Sequence, residues 1–318
     1  MPVPLSPLAL SSLVTTLRSA GCVFAEDEAD LIAATAAGPA ELTAMVERRV
    51  AGHPLEHVLG WAEFSGLRIA VGPGVFVPRR RTEFLIRQAA ELAPSPAVVV
   101  DLCCGSGALG AALAAALDGV ELHAADVEPA AVRCARRNVG ERGRVYEGDL
   151  FDPLPGSLRG RVDVLLANVP YVPTGDVALL PVEARVHEPL VALDGGGDGL
   201  DVMRRVAAEA PQWLAPGGSL LVETSERQAA RAEEAVAGSG LVPRVVTSDE
   251  WYATVVIGTR PFPGRGVPSS ISPHALQAMG EIEDGTPAPG GPGTSRELQG
   301  PARLGRLEGD RAAGRSAE

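Results

Sequence analysis

The tetrad Asn168-Val169-Pro170-Tyr171 ends the apolar run Val162-Asp163-Val164-Leu165-Leu166-Ala167. This order delivers an amide side chain, a backbone carbonyl and an aromatic ring to the tip of a buried strand. A primary amide offers two N–H donors; the Asn168 side-chain oxygen can accept one and the Val169 carbonyl the other. Pro170 stiffens the backbone, and the Tyr171 ring can wall a planar group. The chemistry this suits is the grip of an amide or an amino-substituted ring. Asn and Pro are also ordinary strand-ending turn residues, so the tetrad alone leaves both uses open.

A second constellation lies upstream in Ala97-Val98-Val99-Val100-Asp101-Leu102-Cys103-Cys104-Gly105-Ser106-Gly107-Ala108-Leu109-Gly110. A β-branched run passing through glycines into Ala and Leu reads as strand, tight loop, helix. Glycines admit a ligand close to the backbone, beside the positive end of the helix dipole. Gly105-x-Gly107-x-x-Gly110 also satisfies the dinucleotide fingerprint letter for letter. Asp101, at the strand end before the glycines, suits a cationic ligand such as a sulfonium better than a pyrophosphate. Val120-Glu121-Leu122-His123-Ala124-Ala125-Asp126 ends in an acid 25 residues later, a spacing at which a carboxylate can accept from ribose hydroxyls. Arg144-Val145-Tyr146-Glu147-Gly148-Asp149-Leu150-Phe151 adds Asp149, able to accept from an exocyclic amine, and Phe151, able to pack on a base. Singly, each acid is most often a solvated loop charge. Three such acids in successive strand–helix units form a rarer set.

The elements that must position these groups follow from the pattern of apolar residues. Residues 6–20, 27–37 and 39–51 read as helices, the first capped by Ser6-Pro7 and striped by Leu10, Leu13, Val14 and Leu17. Residues 1–75 are expected to form a small helical domain able to grip a protein substrate or to cap its neighbour, with a short hairpin within 60–80. Strands are expected at 97–102, 120–126, 144–147, 162–167 and 219–224 with helices between, one of them opened by Glu128-Pro129. That alternation implies a parallel sheet covered on both faces over residues 76–260. Residues 242–247 and 251–259 read as a closing pair of strands joined by Ser248-Asp249-Glu250. Residues 261–318 hold 11 Gly and 8 Pro, a composition that predicts a disordered tail.

Composition narrows the function classes. At 318 residues and 46% apolar, the chain can bury a large domain and a smaller one. A net charge of −12 opposes a general nucleic-acid binder and suits a basic protein partner. The tail carries 6 Arg against 7 acids, so the acidity belongs to the body. All 28 basic residues are arginine. Cys22, Cys103, Cys104 and Cys134 lack metal spacing and read as free thiols of a reducing cytoplasm. His53 and His57 have Pro54 between them and no acidic or thiol ligand nearby, so no metal is expected. No run is long enough to span a membrane, and no positive charge precedes Arg18 as a signal peptide would require.

Over roughly residues 50–260 the chain resembles the class I S-adenosylmethionine-dependent methyltransferases, specifically the protein-(glutamine-N5) methyltransferases that modify peptide chain release factors. The motifs that carry it are Pro54–Gly60 with Glu63-Phe64, Pro73–Arg79 with Thr82-Glu83, Asp101–Gly107, Asp126 and Asp149–Phe151. The rest are Asn168–Tyr171, Glu188–Gly196 with Asp198-Gly199-Leu200, and Leu214–Gly218. The glycine loop marks the superfamily, the tetrad amino-group methylation, and the Val-Pro-Arg, Glu-Pro and Asp-Gly-Leu segments the glutamine-modifying branch. The resemblance implies a doubly wound, mostly parallel sheet with a terminal antiparallel strand, preceded by a small helical domain. It implies S-adenosyl-L-methionine as cofactor, held by Asp101, Cys103, Cys104, Gly105, Ser106, Gly107, Asp126, Asp149, Phe151 and Asn168. Asn168 and Tyr171 would be catalytic, and Phe76 with Asn168, Val169, Pro170 and Tyr171 would bind the substrate glutamine in a Gly-Gly-Gln loop. The mechanism implied is in-line displacement at the sulfonium methyl by an oriented amide nitrogen, without a general base.

Two positions depart from the family pattern: Val169 replaces the first proline of Asn-Pro-Pro-Tyr, and Arg80 stands where proline is usual. The contact at Val169 is a backbone carbonyl, which valine also supplies; Arg80 alters a segment expected to line the substrate entrance. The rival readings are an adenine-N6 or other amino-group methyltransferase, an NAD-dependent dehydrogenase using Gly105–Gly110, and a catalytically silent scaffold.

Overall fold

The computed structural model describes residues 5–263. Residues 264–318, nearly all of the expected tail, lie outside the described residues.

Four helices come first: α1 (Pro7–Ser19), α2 (Ala25–Thr35), α3 (Pro39–Val50) and α4 (Leu55–Leu59). Ser6 caps α1, its side chain accepting the Ala9 N–H at 3.2 Å. Helix α2 stops short of the expected residue 37. Ala36 is already extended, and Gly38 must be extended too because Pro39 disfavours helical backbone before it. Leu17, Ile32, Met45 and Val58 close an apolar cluster among these helices.

A hairpin of β1 (Trp61–Phe64) and β2 (Leu67–Ala70) turns at Ser65-Gly66, both with positive φ. Its Phe64 and Ile69 pack with Leu85 and Leu113 on one face of the main sheet. The chain continues through α5 (Glu83–Leu92), β3 (Ala97–Leu102), α6 (Ala108–Ala116), β4 (Val120–Asp126), α7 (Pro129–Val139), β5 (Gly143–Glu147) and β6 (Val162–Ala167). It closes with α8 (Val182–His187), α9 (Asp201–Trp213), β7 (Leu214–Thr224), α10 (Ala229–Gly238), β8 (Val242–Ser248) and β9 (Ala253–Thr259).

The seven-stranded sheet runs β5-β4-β3-β6-β7-β9-β8. Strands β3 to β7 are mutually parallel, and β9 lies antiparallel between β7 and β8. Val99, Val100 and Leu102 are all fully buried, as a strand covered on both faces requires. Strand β7 begins at Leu214 rather than at the expected residue 219. Pro216-Gly217-Gly218 is drawn in as a bulge, and the register against β6 shifts between Val162 and Val164. Strand β9 starts two residues later than expected, because Tyr252 turns at φ 47°.

From β3 the chain steps to β4 and β5 on one side, then returns to place β6 on the other side of β3. Such a reversal opens a crevice at the carboxyl ends of the strands, where open α/β sheets bind ligands.

Candidate active site

Five adjacent parallel strands end in a row of polar side chains. Asp126 closes β4, Asp101 sits one residue before the end of β3, Asn168 directly follows β6, and Glu223 is the penultimate residue of β7. Asp149 follows β5 by two residues. With strands about 4.8 Å apart, Asp126 and Asn168 stand about 10 Å from each other across the row. A cavity of about 460 Å³ opens over it, lined among others by Phe76, Asp101, Asp126, Asp149 and the whole tetrad.

The loop after β3 is built for close approach. Cys103, Gly105 and Gly107 all have positive φ, of 52°, 56° and 75°. The Cys104 N–H donates to the Ala125 carbonyl at 3.1 Å and the Gly107 N–H to the Cys104 carbonyl at 2.7 Å. A Cβ on Gly107 would crowd Ala135 at 3.1 Å, and one on Gly110 would meet Leu122 at 3.0 Å and the Asp101 carboxylate at 3.1 Å. Burial pushes both the Cys103 and Cys104 thiols up, so each presents a neutral sulfur.

Asp101 is 1% exposed and accepts the Gly110 N–H at 2.9 Å. Burial raises its carboxyl to about 7, against that hydrogen bond and with help from the nearby Asp126 charge. A cation beside it would restore the charged form. Asp126 accepts the Gly105 N–H at 2.8 Å through Oδ2 and the Glu128 N–H at 2.9 Å through Oδ1. Each oxygen keeps a lone pair, so the carboxylate is oriented by the backbone and still able to accept a pair of hydroxyls. Asp149, on the cavity wall, meets Arg205, whose Nη2 donates to Oδ2 at 2.6 Å, which leaves Oδ1 without a side-chain donor among the described residues.

Phe151 requires a correction. It is 2% exposed, stacks on Trp213 with ring centroids 5.3 Å apart, and does not line the cavity. Leu150, buried beside it at a φ of 47°, lines the cavity instead.

Among the described residues the Asn168 side chain has no hydrogen-bond partner, and it faces the cavity beside the buried Val169. The backbone after it is fixed by the 193–199 loop. Val172 N–H donates to the Leu193 carbonyl at 3.0 Å, and Gly195 N–H to the Val172 carbonyl at 2.8 Å. A Cβ on Gly195 would lie 2.6 Å from the Pro170 carbonyl oxygen, closer than nonbonded atoms pack. Gly199 meets the Tyr171 carbonyl in the same way. The Gln228 side chain donates to that carbonyl at 2.9 Å.

Other side chains complete the walls, among them Arg79 and Glu188, which the motif segments contain without a stated role, and Arg81, Glu223 and Arg205, which no site motif marks. Arg79 grips Glu188 through Nη2, at 2.8 and 2.7 Å to its two oxygens, while its guanidinium lies over the Phe76 ring at 4.7 Å. Arg81 and Glu223 both bond the Tyr171 hydroxyl. Glu223 carries the signal that picked out Asp101 and Asp126, an acid at the end of an apolar strand, and could have been found by it. Arg81 and Arg205 carry no such signal. His53 and His57 go to different partners, His53 against the His187 ring and His57 to the Val75 carbonyl at 2.9 Å.

The sheet order and the row of strand-end groups define a class I methyltransferase. Residues 66–200 match the model of the methyltransferase small domain family. The chain is 42% identical over 197 residues to a release factor glutamine methyltransferase of Geobacter sulfurreducens, covering 60% of this chain and 68% of that protein. It is 38% identical over 251 residues to the protein of that name from Mycolicibacterium smegmatis, covering 73% and 89%. A third, from Streptomyces coelicolor, is 38% identical over 214 residues, covering 66% and 72%. The chain belongs to the release factor glutamine methyltransferase family.

Proposed function

We propose that this enzyme transfers a methyl group from S-adenosyl-L-methionine to the side-chain amide nitrogen, N5, of a glutamine in a peptide chain release factor. The observation that carries this reading is the free Asn168 side chain beside the Val169 carbonyl, on the cavity wall shared with Phe76 and Tyr171. The cofactor, when bound, supplies an electrophilic methyl group on a positively charged sulfur.

The residues present fit that cofactor. Asp126 retains acceptor capacity for a ribose diol, Gly105 and Gly107 leave the loop without side chains, and Asp101 supplies a negative charge for a cation. The Asn168 oxygen and the Val169 carbonyl accept the two N–H bonds of the glutamine amide. Phe76 and Tyr171 confine its plane. An amide nitrogen is a weak nucleophile because its lone pair is conjugated, so positioning is the main contribution; in favourable cases it is worth about 7–11 kcal/mol. The alkylated nitrogen is strongly acidic and loses its extra proton to solvent, so no side chain need act as base.

The helices of residues 1–75 are assigned to gripping the protein substrate, since Pro54 and Glu56 reach the cavity wall from that part of the chain. No helix among the described residues is long and apolar enough to cross a membrane. A cytoplasmic site of action follows from the proposed substrate, which works at the ribosome.

The test is mass spectrometry of purified release factors after incubation with the enzyme and S-adenosylmethionine. One added methyl on the glutamine of the Gly-Gly-Gln loop supports the reading. Methylation of adenine in DNA or RNA with release factors untouched overturns it.

A further inference from the structure

Tyr171 is tied down from two sides. Its hydroxyl donates to Glu223 Oε1 at 3.0 Å, and Arg81 Nε donates to that same oxygen at 3.1 Å. Arg81 Nη2 also donates to the Tyr171 hydroxyl oxygen, so the guanidinium bridges both ends of the Tyr–Glu hydrogen bond. The three side chains come from distant places: the short turn before α5, the loop after β6 and the end of β7. Glu223 is 2% exposed, and its Oε2 has no partner among the described residues. Leaving a carboxylate oxygen buried without a donor costs stability, and packing alone would favour an apolar residue there. Such costs are tolerated where they hold a functional group in place.

The two arginines flanking Arg80 hold two different segments that line the cavity. Arg79 anchors the Phe76 segment to Glu188, and Arg81 anchors Tyr171 to Glu223. With Val in place of proline at 169, the tetrad has lost one backbone restraint, and the side-chain clamp supplies another. Burial, and then the Glu223 charge, push the Tyr171 hydroxyl above the ordinary tyrosine range, so it stays protonated and keeps donating.

We propose that Arg81 and Glu223 are positioning residues, which lock the Tyr171 ring as a rigid wall and thereby set the angle of the acceptor amide. They act through the tyrosine hydroxyl rather than on the substrate. The proposal rests on the function assigned above but can fail separately from it.

The experiment compares wild type, Arg81→Met, Tyr171→Phe and the double variant on a release factor with S-adenosylmethionine. Arg81 is 46% exposed and Tyr171→Phe keeps the ring, so at least one variant will fold. Each single variant is expected to lower kcat about 10- to 100-fold with KM within threefold, the size of effect that misplaced substrates show. Cofactor affinity by calorimetry should be unchanged, and the double variant should be no worse than the poorer single one. Additive losses, a change in KM alone, or unaltered kcat in both single variants would overturn the clamp. An independent readout is the Tyr171 hydroxyl proton by NMR, expected to be protected from solvent exchange in wild type, to exchange faster in Arg81→Met and to be lost in Glu223→Ala, which removes its acceptor. An unprotected hydroxyl in wild type also overturns the clamp. If the wild type methylates no release factor, the functional assignment fails and the hydroxyl proton alone judges the clamp.

Discussion

Arg79 and Glu188, 109 positions apart in the chain, meet through one guanidinium nitrogen that donates to both carboxylate oxygens, at 2.8 and 2.7 Å. The Glu188 side chain is 1% exposed, and its Oε1 also accepts the Val77 N–H at 3.2 Å. The pair joins the segment before α5 to the segment after α8, and both line the cavity. Removing one partner of a buried pair costs more than the pair itself contributes, because the remaining charge is stranded.

Glu188 is buried but the Arg79 side chain is 35% exposed, so Arg79→Ala should destabilise the protein by about 2 kcal/mol, less than a fully buried pair would cost, a fall in Tm of about 4–8 °C for a domain of this size. Adding Glu188→Gln should restore part of that loss. Equal midpoints for Arg79→Ala and wild type in a thermal melt would show that the pair holds nothing together.

Gly199 presses on the tetrad from behind, at φ 79°, with no room for a Cβ between Gln228 and the Tyr171 carbonyl. Gly199→Ala must shift the Tyr171 backbone and also strain its own. Activity should fall at least about 100-fold, as a displacement near 1 Å in a positioned site does. Normal turnover in this variant would mean that the 193–199 loop yields freely.

Asp126→Ala should weaken S-adenosylmethionine binding by about 2–4 kcal/mol, through the loss of charge-assisted hydrogen bonds to the ribose. Asp126→Asn, which keeps one acceptor oxygen for the Gly105 loop, should lose less. Calorimetry checks both, and unchanged affinity would remove Asp126 from the cofactor site.

The Asp101 carboxyl is raised from 3.8 to about 7 in the free protein, chiefly by burial. A raised carboxyl means stability that is fully present below about 3.8 and lost as pH rises through about 7. The charged form is the one a sulfonium selects. Cofactor affinity should accordingly be flat above about pH 7 and fall by up to about tenfold per unit below it, with proton release on binding. Asp101→Asn should flatten that profile. Titrations across pH in two buffers of different ionisation heat measure both quantities.

Asn168→Ala should abolish turnover while leaving cofactor affinity within a few fold, since its proposed work is orienting the amide during transfer. Val169→Pro should be tolerated, because the carbonyl remains and φ becomes more restricted. Loss of all glutamine methylation in Val169→Pro, beside full activity in Asn168→Ala, would reduce the tetrad to a turn.

Much of this architecture is written locally. The apolar runs ending in Asp101, Asp126 and Ala167 specify buried strands, because period and length survive in any environment that covers both faces. The glycines at 105 and 107 announce a loop that needs positive φ, and the tetrad announces its own donors and acceptors. These local motifs carry the family resemblance, and it is the resemblance that implies the class of reaction and the methyl donor. What the sequence could not decide was which distant side chains complete the walls. The sequence offers Phe151 as a cavity residue, but the core takes it: it is 2% exposed and stacked on Trp213 from α9. Arg81 gave no signal, because an arginine in a polar turn becomes a clamp only when β7 brings Glu223 beside Tyr171. Gly195 and Gly199 enter the sequence only as letters of two motif segments, and packing alone shows them pressed on the Pro170 and Tyr171 carbonyls. Periodicity and turn chemistry act over a handful of residues, whereas these contacts depend on how separate strands and loops are placed beside one another. That placement exists only once the sheet has formed and its order has brought the strand ends into one row.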